Sequence, residues 1–293
     1  MAENDIKRFS DRKEGRVIRS LPAPVRLTPY LTPARDESCR SMTDSVEVSA
    51  IEQWLVEARE SGWSGIGFIH LLVAAYVRTV SMRPGINRFV VGRRIHARND
   101  IQVVFPVRRT DSYGTHQTLV KVSFGATDTV YDVFRRMNET VDDIKANMGA
   151  TELEKTAAAF LRIPRPFLRL TMSVLRLMNH NDWLPLSLLE ISPYHASLSI
   201  SDMGSLGTPP ELPALPRFGT LPCALSFGAK RRSYETEKDG RVVERHYVDY
   251  AIACDSRIAD APYFAGAYKC LKYFLKNPKL LELPPETVED DVN

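Results

Sequence analysis

The chain has 293 residues, 44% of them apolar and 26% charged, the balance of a globular protein with one large domain or two small ones. A net charge of +3 is too small to mark a nucleic-acid binder, and no run reaches the ~20 apolar residues of a membrane-spanning helix. Four dispersed cysteines, Cys39, Cys223, Cys254 and Cys270, have no Cys-x-x-Cys spacing, so no metal site and no disulfide framework is expected, and reduced thiols fit a cytoplasmic location.

The opening "MAENDIKRFS" lacks the apolar run of a secretory signal and contains acids that transit peptides avoid, so no targeting segment is expected. Residues 1–30, rich in Arg, Pro and Ser, are predicted to form an extended arm before a body spanning 31–285. "SAIEQWLVEARE" predicts a helix capped by Ser49 with Glu52 reaching back, and Ile51, Trp54, Leu55 and Ala58 on one apolar face. "GIGFIHLLVAAYVRTV" follows as a helix buried on most sides, with His70 a core imidazole, until "RPG" ends it.

From Asn87 to Phe124 the period changes to that of strands, in "RFVVG", "IQVVFPV" and "LVKVSF". "TDTVYDVFRRMNETVDDIKANM" returns to helical spacing, with Val130, Val133, Phe134, Met137, Val141 and Ile144 on one side. In "FLRIPRPFLRLTMSVLRLMNHNDWLPLSLLEISP", Arg162, Arg165, Arg169 and Arg176 share one helical face opposite Leu168, Met172 and Leu175. Residues 160–180 have three readings: a weak contact with an anionic membrane surface, the wall of an acyl-chain tunnel, or a helix packed in an oligomer. Strands resume at "SLSIS" and "CALSFGAK", a hairpin turns at Lys238-Asp239-Gly240, and a last helix runs from about Pro262 to Lys276. Residues 286–293 are predicted to be a loose acidic tail.

Between the last strand and the last helix lies "CDSRIADA", Cys254 to Ala261. Asp260 before Ala261-Pro262 is an ordinary helix cap, yet a strand, turn and helix in close succession is also a common place to display a reactive group. Four further stretches bear on the choice. "SLSISDMGSLG" resembles the "TFTISNLGMFG" strand and turn of the 2-oxoacid dehydrogenase dihydrolipoamide acyltransferase catalytic domains, relatives of chloramphenicol acetyltransferase. "CALSFGAK" resembles their "ACILGVG" strand, and "LKYFLKNPKLLE" their closing helix. "CDSRIADA" itself resembles their catalytic "VDHRVVDG", and "RPGINRFVVGRRIHARNDIQVVFPV" fits their upstream strands.

The resemblance implies an α/β fold: a chloramphenicol acetyltransferase-like mixed β-sheet flanked by helices, trimeric, with active sites between subunits. In that family a His deprotonates the thiol of coenzyme A or dihydrolipoamide, the thiolate attacks a thioester carbonyl, and a Ser or Thr hydroxyl donates to the oxyanion. Carried over, Ser199 is the oxyanion donor, and Ser197 and Ser201 share its face as substrate-binding groups. Asp260 matches the second Asp of the motif, expected to pair with Arg35, and Arg35 and Arg257 are expected as structural support. Ser256 stands where the His belongs, and a hydroxyl cannot serve as a general base; Ala261 replaces the closing Gly.

His195, just before the Ser199 strand, is either a replacement base facing the Ser256 loop of a neighbouring subunit or a polar strand-end residue. Cys254 reads as a buried filler. The expected function is an acyltransferase-like protein acting on an acyl-coenzyme A or related thioester by a mechanism altered at the base position. The alternative is a non-catalytic trimeric binding or scaffold protein. Expected partners are its own copies and a small-molecule thioester, with no nucleic acid, no metal and no permanently bound cofactor; coenzyme A enters only as the thioester substrate.

Overall fold

The computed structural model describes residues 11–111, 114–146 and 151–293, the side chains of 109–116 excepted. The first ten residues of the expected arm, the last two of the expected 127–148 helix and the side chain of His116 lie outside what is described.

In chain order the elements are β1 (Gly15–Val17), α1 (Ala23–Leu31), α2 (Arg35–Ser38), β2 (Cys39–Glu47), α3 (Ser49–Glu60) and α4 (Phe68–Met82). Then come β3 (Phe89–Val91), β4 (Arg94–Arg98), β5 (Ile101–Asp111), β6 (Gly114–Phe124), α5 (Val130–Ala146), α6 (Glu152–Leu161), α7 (Arg165–His180) and α8 (Leu186–Ile191). The chain closes with β7 (Leu198–Asp202), β8 (Cys223–Thr236), β9 (Val242–Asp255) and α9 (Ala261–Lys276).

Six strands form one mixed sheet in the order β2-β9-β8-β7-β5-β6. β7 sits in its interior, parallel to both neighbours, with Ser199 opposite Val104 on β5 and Ala224 on β8. The other pairs are antiparallel. α3, α4, α5 and α9 cover one face, where Ile51, Trp54, Val133, Leu271 and Leu275 meet inward strand residues such as Val103, Leu198, Ile200 and Leu225. Strand alternation sends Val104, Ala224 and Ala253 to the other face, beneath Leu215 and Leu221. A second, three-stranded sheet, β1-β4-β3, lies apart from the large one.

The α3 face predicted from the sequence is the buried one, Ile51, Trp54, Leu55 and Ala58. Its predicted cap does not form: Ser49 is already helical, and Glu52 pairs with Lys230 and His246 on the neighbouring hairpin, where opposite charge is available. The expected arm also differs. Gly15–Val17 pairs with β4 and Ala23–Leu31 is helical, because Val17 and Ile18 find a buried apolar site. Nor is the acidic end loose. Arg88 holds Asp291 bidentately, Arg16 donates to Asp291, Val292 and Asn293, and the Glu289 amide donates to Ser81.

Candidate functional site

The last residue of β9, Asp255, is only 1% exposed. Its Oδ1 accepts from Ser38 Oγ at 3.0 Å, the Arg257 amide at 3.1 Å and Arg257 Nε at 2.8 Å; its Oδ2 accepts from the same guanidinium at 2.7 Å. Arg35 closes an ion pair from the other side at 3.8 Å and donates to the Gly219 and Pro216 carbonyls. Arg257 further donates to the carbonyls of Thr32 and Pro33. A buried carboxylate between two buried guanidinia thus joins three separate stretches of chain into one rigid corner. Burial is the main reason that Arg35 falls to about 10 in pKa. Gly219 is needed there, because at φ +96° a Cβ would meet the Tyr194 carbonyl oxygen at 2.2 Å.

Arg35 and Arg257 are therefore gathered as a support, but around Asp255. The expected pair of Arg35 with Asp260 does not form. Asp260 is exposed and caps α9, its Oδ1 accepting from the Tyr263 amide at 3.0 Å, which satisfies one of the helix's orphan donors. The capping reading of "CDSRIADA" is the one realised for Asp260. The anchor role has passed to the acid five residues earlier, whose strand position points it at both arginines.

Ser256 lies at the turn. Its hydroxyl donates to the Ser38 carbonyl at 2.7 Å, and its amide donates to the same oxygen at 3.0 Å. The group in the base position is thus a donor held by a backbone acceptor.

His195 is buried and held at both ring nitrogens, Nδ1 by Ser192 Oγ at 2.8 Å and Nε2 by Asn179 Oδ1 at 3.1 Å. Its pKa is pushed down to about 2, chiefly by burial and next by the positive charges of Lys121, Arg98, Arg12 and Arg35. Within the protomer it is a neutral group packed between α7 and β7, with both ring nitrogens engaged. Lys121 donates to the Leu189 and His195 carbonyls, and burial brings it down to about 8.

The three serines divide. Ser197 is fully buried, its hydroxyl donating to the Asp100 carbonyl and accepting from the Gln102 amide, so its one donor is used and burial closes it to a substrate. Ser199 and Ser201 are half-buried and line a cleft of about 270 Å³ with Tyr194, Pro193, Glu211 and Pro213. Leu198 and Ile200, on the opposite face, belong to the core that fixes the strand. A second cleft, of about 380 Å³, opens beside Arg35 and Arg257 and is also lined by Arg93, Arg176, Arg217 and His180, with no acid among its walls. Arg217 is bidentate to Asp36, and Arg93 lies over the Tyr30 ring.

Sequence reasoning missed Asp255, Ser38, Glu211 and this arginine cleft. Only Asp255 had a visible signal, as the first acid of the Asp-x-Arg stretch; the others come from segments far apart in the chain. Cys254 and Cys223 are buried free thiols, 3.5 Å apart across two strands. His70 is buried, with its Nδ1 accepting from the Gly67 amide, and burial lowers it to about 4. No helix among the described residues is long and apolar enough to cross a membrane.

A mixed sheet with an interior parallel strand carrying Ser199, followed by a strand, tight turn and helix at Ser256, defines a chloramphenicol acetyltransferase-like fold. The solved structures agree. The chain superposes on a probable dihydrolipoamide acetyltransferase from Listeria monocytogenes 4b F2365 with a TM-score of 0.56 at 10% identity, covering 88% of this chain and 94% of that one. For chloramphenicol acetyltransferase the TM-score is 0.54 at 13% identity, with coverage of 89% and 99%. For a truncated catalytic core of the 2-oxoacid dehydrogenase multienzyme complex from Thermoplasma acidophilum it is 0.53 at 13% identity, with coverage of 89% and 98%. No protein-family model and no curated protein matches the chain.

Proposed function

We propose that the protein binds an acyl thioester, acyl-coenzyme A being the leading class, and passes the acyl group to a thiol that arrives already ionised. The observation that carries this reading is the contrast between an open cleft at Ser199 and Ser201 and a Ser256 hydroxyl directed at a carbonyl. In this scheme the acceptor thiolate forms the new C–S bond, Ser199 donates to the carbonyl oxygen as it gains charge, and the first C–S bond breaks to release coenzyme A thiolate, which takes a proton from water. In this scheme no described residue removes the acceptor's proton. The arginine cleft supplies charge to match the phosphates of the carrier. The likeness to acyltransferase cores supports assembly as a homotrimer with the sites between subunits. Free cysteines suit a reducing cytoplasm.

The test is calorimetry with acetyl- and octanoyl-coenzyme A, followed by thioester exchange with a small thiol. Binding is expected below millimolar concentration. The exchange rate should follow the acceptor's thiolate fraction between pH 6 and 9, with no plateau set by an enzymic imidazole. Ser199→Ala should lower that rate about a hundredfold. No binding at millimolar concentration overturns the proposal. Binding with no exchange above the uncatalysed rate assigns the protein to the non-catalytic reading.

A further inference from the structure

α7 presents two apolar rows. Leu168, Met172 and Leu175 are half-buried against the body. Phe167, Leu170, Val174 and Leu177 follow at offsets of three, four and three and form a stripe that is 62%, 61%, 45% and 55% exposed. Leu161 before the helix and Trp183 and Leu186 after it are exposed as well. Beside this stripe stand Arg162, Arg165 and Arg169, all exposed and with no carboxylate partner among the described residues, while Arg176 lines the arginine cleft. The only acid between residues 160 and 189 is Asp182, which faces Arg12.

An apolar strip bordered by unpaired guanidinia matches the outer layer of a bilayer, where anionic phosphates lie above acyl chains. We propose that α7 and its flanking residues dock in the plane of an anionic membrane, with the Phe167–Leu177 stripe inserted and the arginines at the phosphate level. A two-fold contact of the stripe with its own copy fits less well, because it would set arginine against arginine with no acid to offset them. A nucleic acid would use the charge but not the apolar stripe. The proposal is independent of whether the Ser199 cleft binds a thioester.

The test is co-sedimentation of the full chain with vesicles of phosphatidylcholine alone and of phosphatidylcholine with phosphatidylglycerol at 3:1. Binding is expected to the anionic vesicles only and to weaken at high salt. It should be accompanied by a blue shift of tryptophan emission, which reports Trp183 because Trp54 is buried and Trp63 is stacked on Tyr131. The triple variant R162Q/R165Q/R169Q should lose on the order of a hundredfold in vesicle affinity. Phe167→Ser with Leu170→Ser should abolish the blue shift; all five positions are exposed, so the melting temperature should hold. The proposal is overturned by wild-type protein that ignores anionic vesicles or keeps its emission unshifted on them. It is equally overturned if the Phe167/Leu170 variant binds vesicles normally while an oligomer dissociates in sedimentation velocity, which would give the stripe to a second copy.

Discussion

Replacing Asp255 by Asn tests which acid anchors the corner beside Ser256. The side chain keeps its shape, but two guanidinia that are 5% and 4% exposed lose the one carboxylate between them. Removing one partner of a buried ion pair costs about 3–5 kcal/mol, because the remaining charge stays desolvated. At about 2–4 °C per kcal/mol for a chain near this size, the melting temperature should fall by about 6–20 °C. Asp260→Ala removes only a helix cap, about 1 kcal/mol and about 3 °C. Thermal unfolding by circular dichroism, with urea titrations at 25 °C as a second measure, separates the two. If Asp260→Ala costs as much as Asp255→Asn, Asp260 is the partner of the arginines after all and the arrangement described above is refuted.

Removal of residues 286–293 should destabilise the protein by about 3 kcal/mol, read as a lower urea midpoint, because buried Arg88 loses Asp291; an unchanged midpoint would return the segment to the status of a free tail. Acidification should do the same by another route. His70 and His96 are held to about 4 and His195 to about 2, each mainly by burial, all below the ordinary value near 6.5. The unfolded chain therefore binds more protons. The stability these groups contribute is complete above about pH 6.5 and falls as pH drops toward 4, by about 1.4 kcal/mol per unit for each histidine. A urea midpoint equal at pH 7 and pH 5 would rule this out.

What the linear chain could report was local. The 3.6-residue period of "SAIEQWLVEARE" identified the face of α3 that is buried, and alternation in "SLSIS" put Ser199 and Ser201 on one side of β7. The same alternation was blind to depth: Ser197 shares that side and is closed off by Asp100 and Gln102, which arrive from β5 and the turn before it. Likewise the motif spacing located the Ser256 turn but misassigned its acid.

The sequence by itself determined the order and period of most elements, the absence of a base at position 256 and the strand that carries Ser199, because these depend on neighbours a few residues apart. Only the tertiary structure decided that Asp255 rather than Asp260 receives Arg35, that His195 is sealed neutral between Ser192 and Asn179, and that the acidic end is tied to Arg16 and Arg88. Each of these turns on burial and on charges brought together across large separations in the chain, from 203 to 277 residues for the arginine contacts, which no local period encodes.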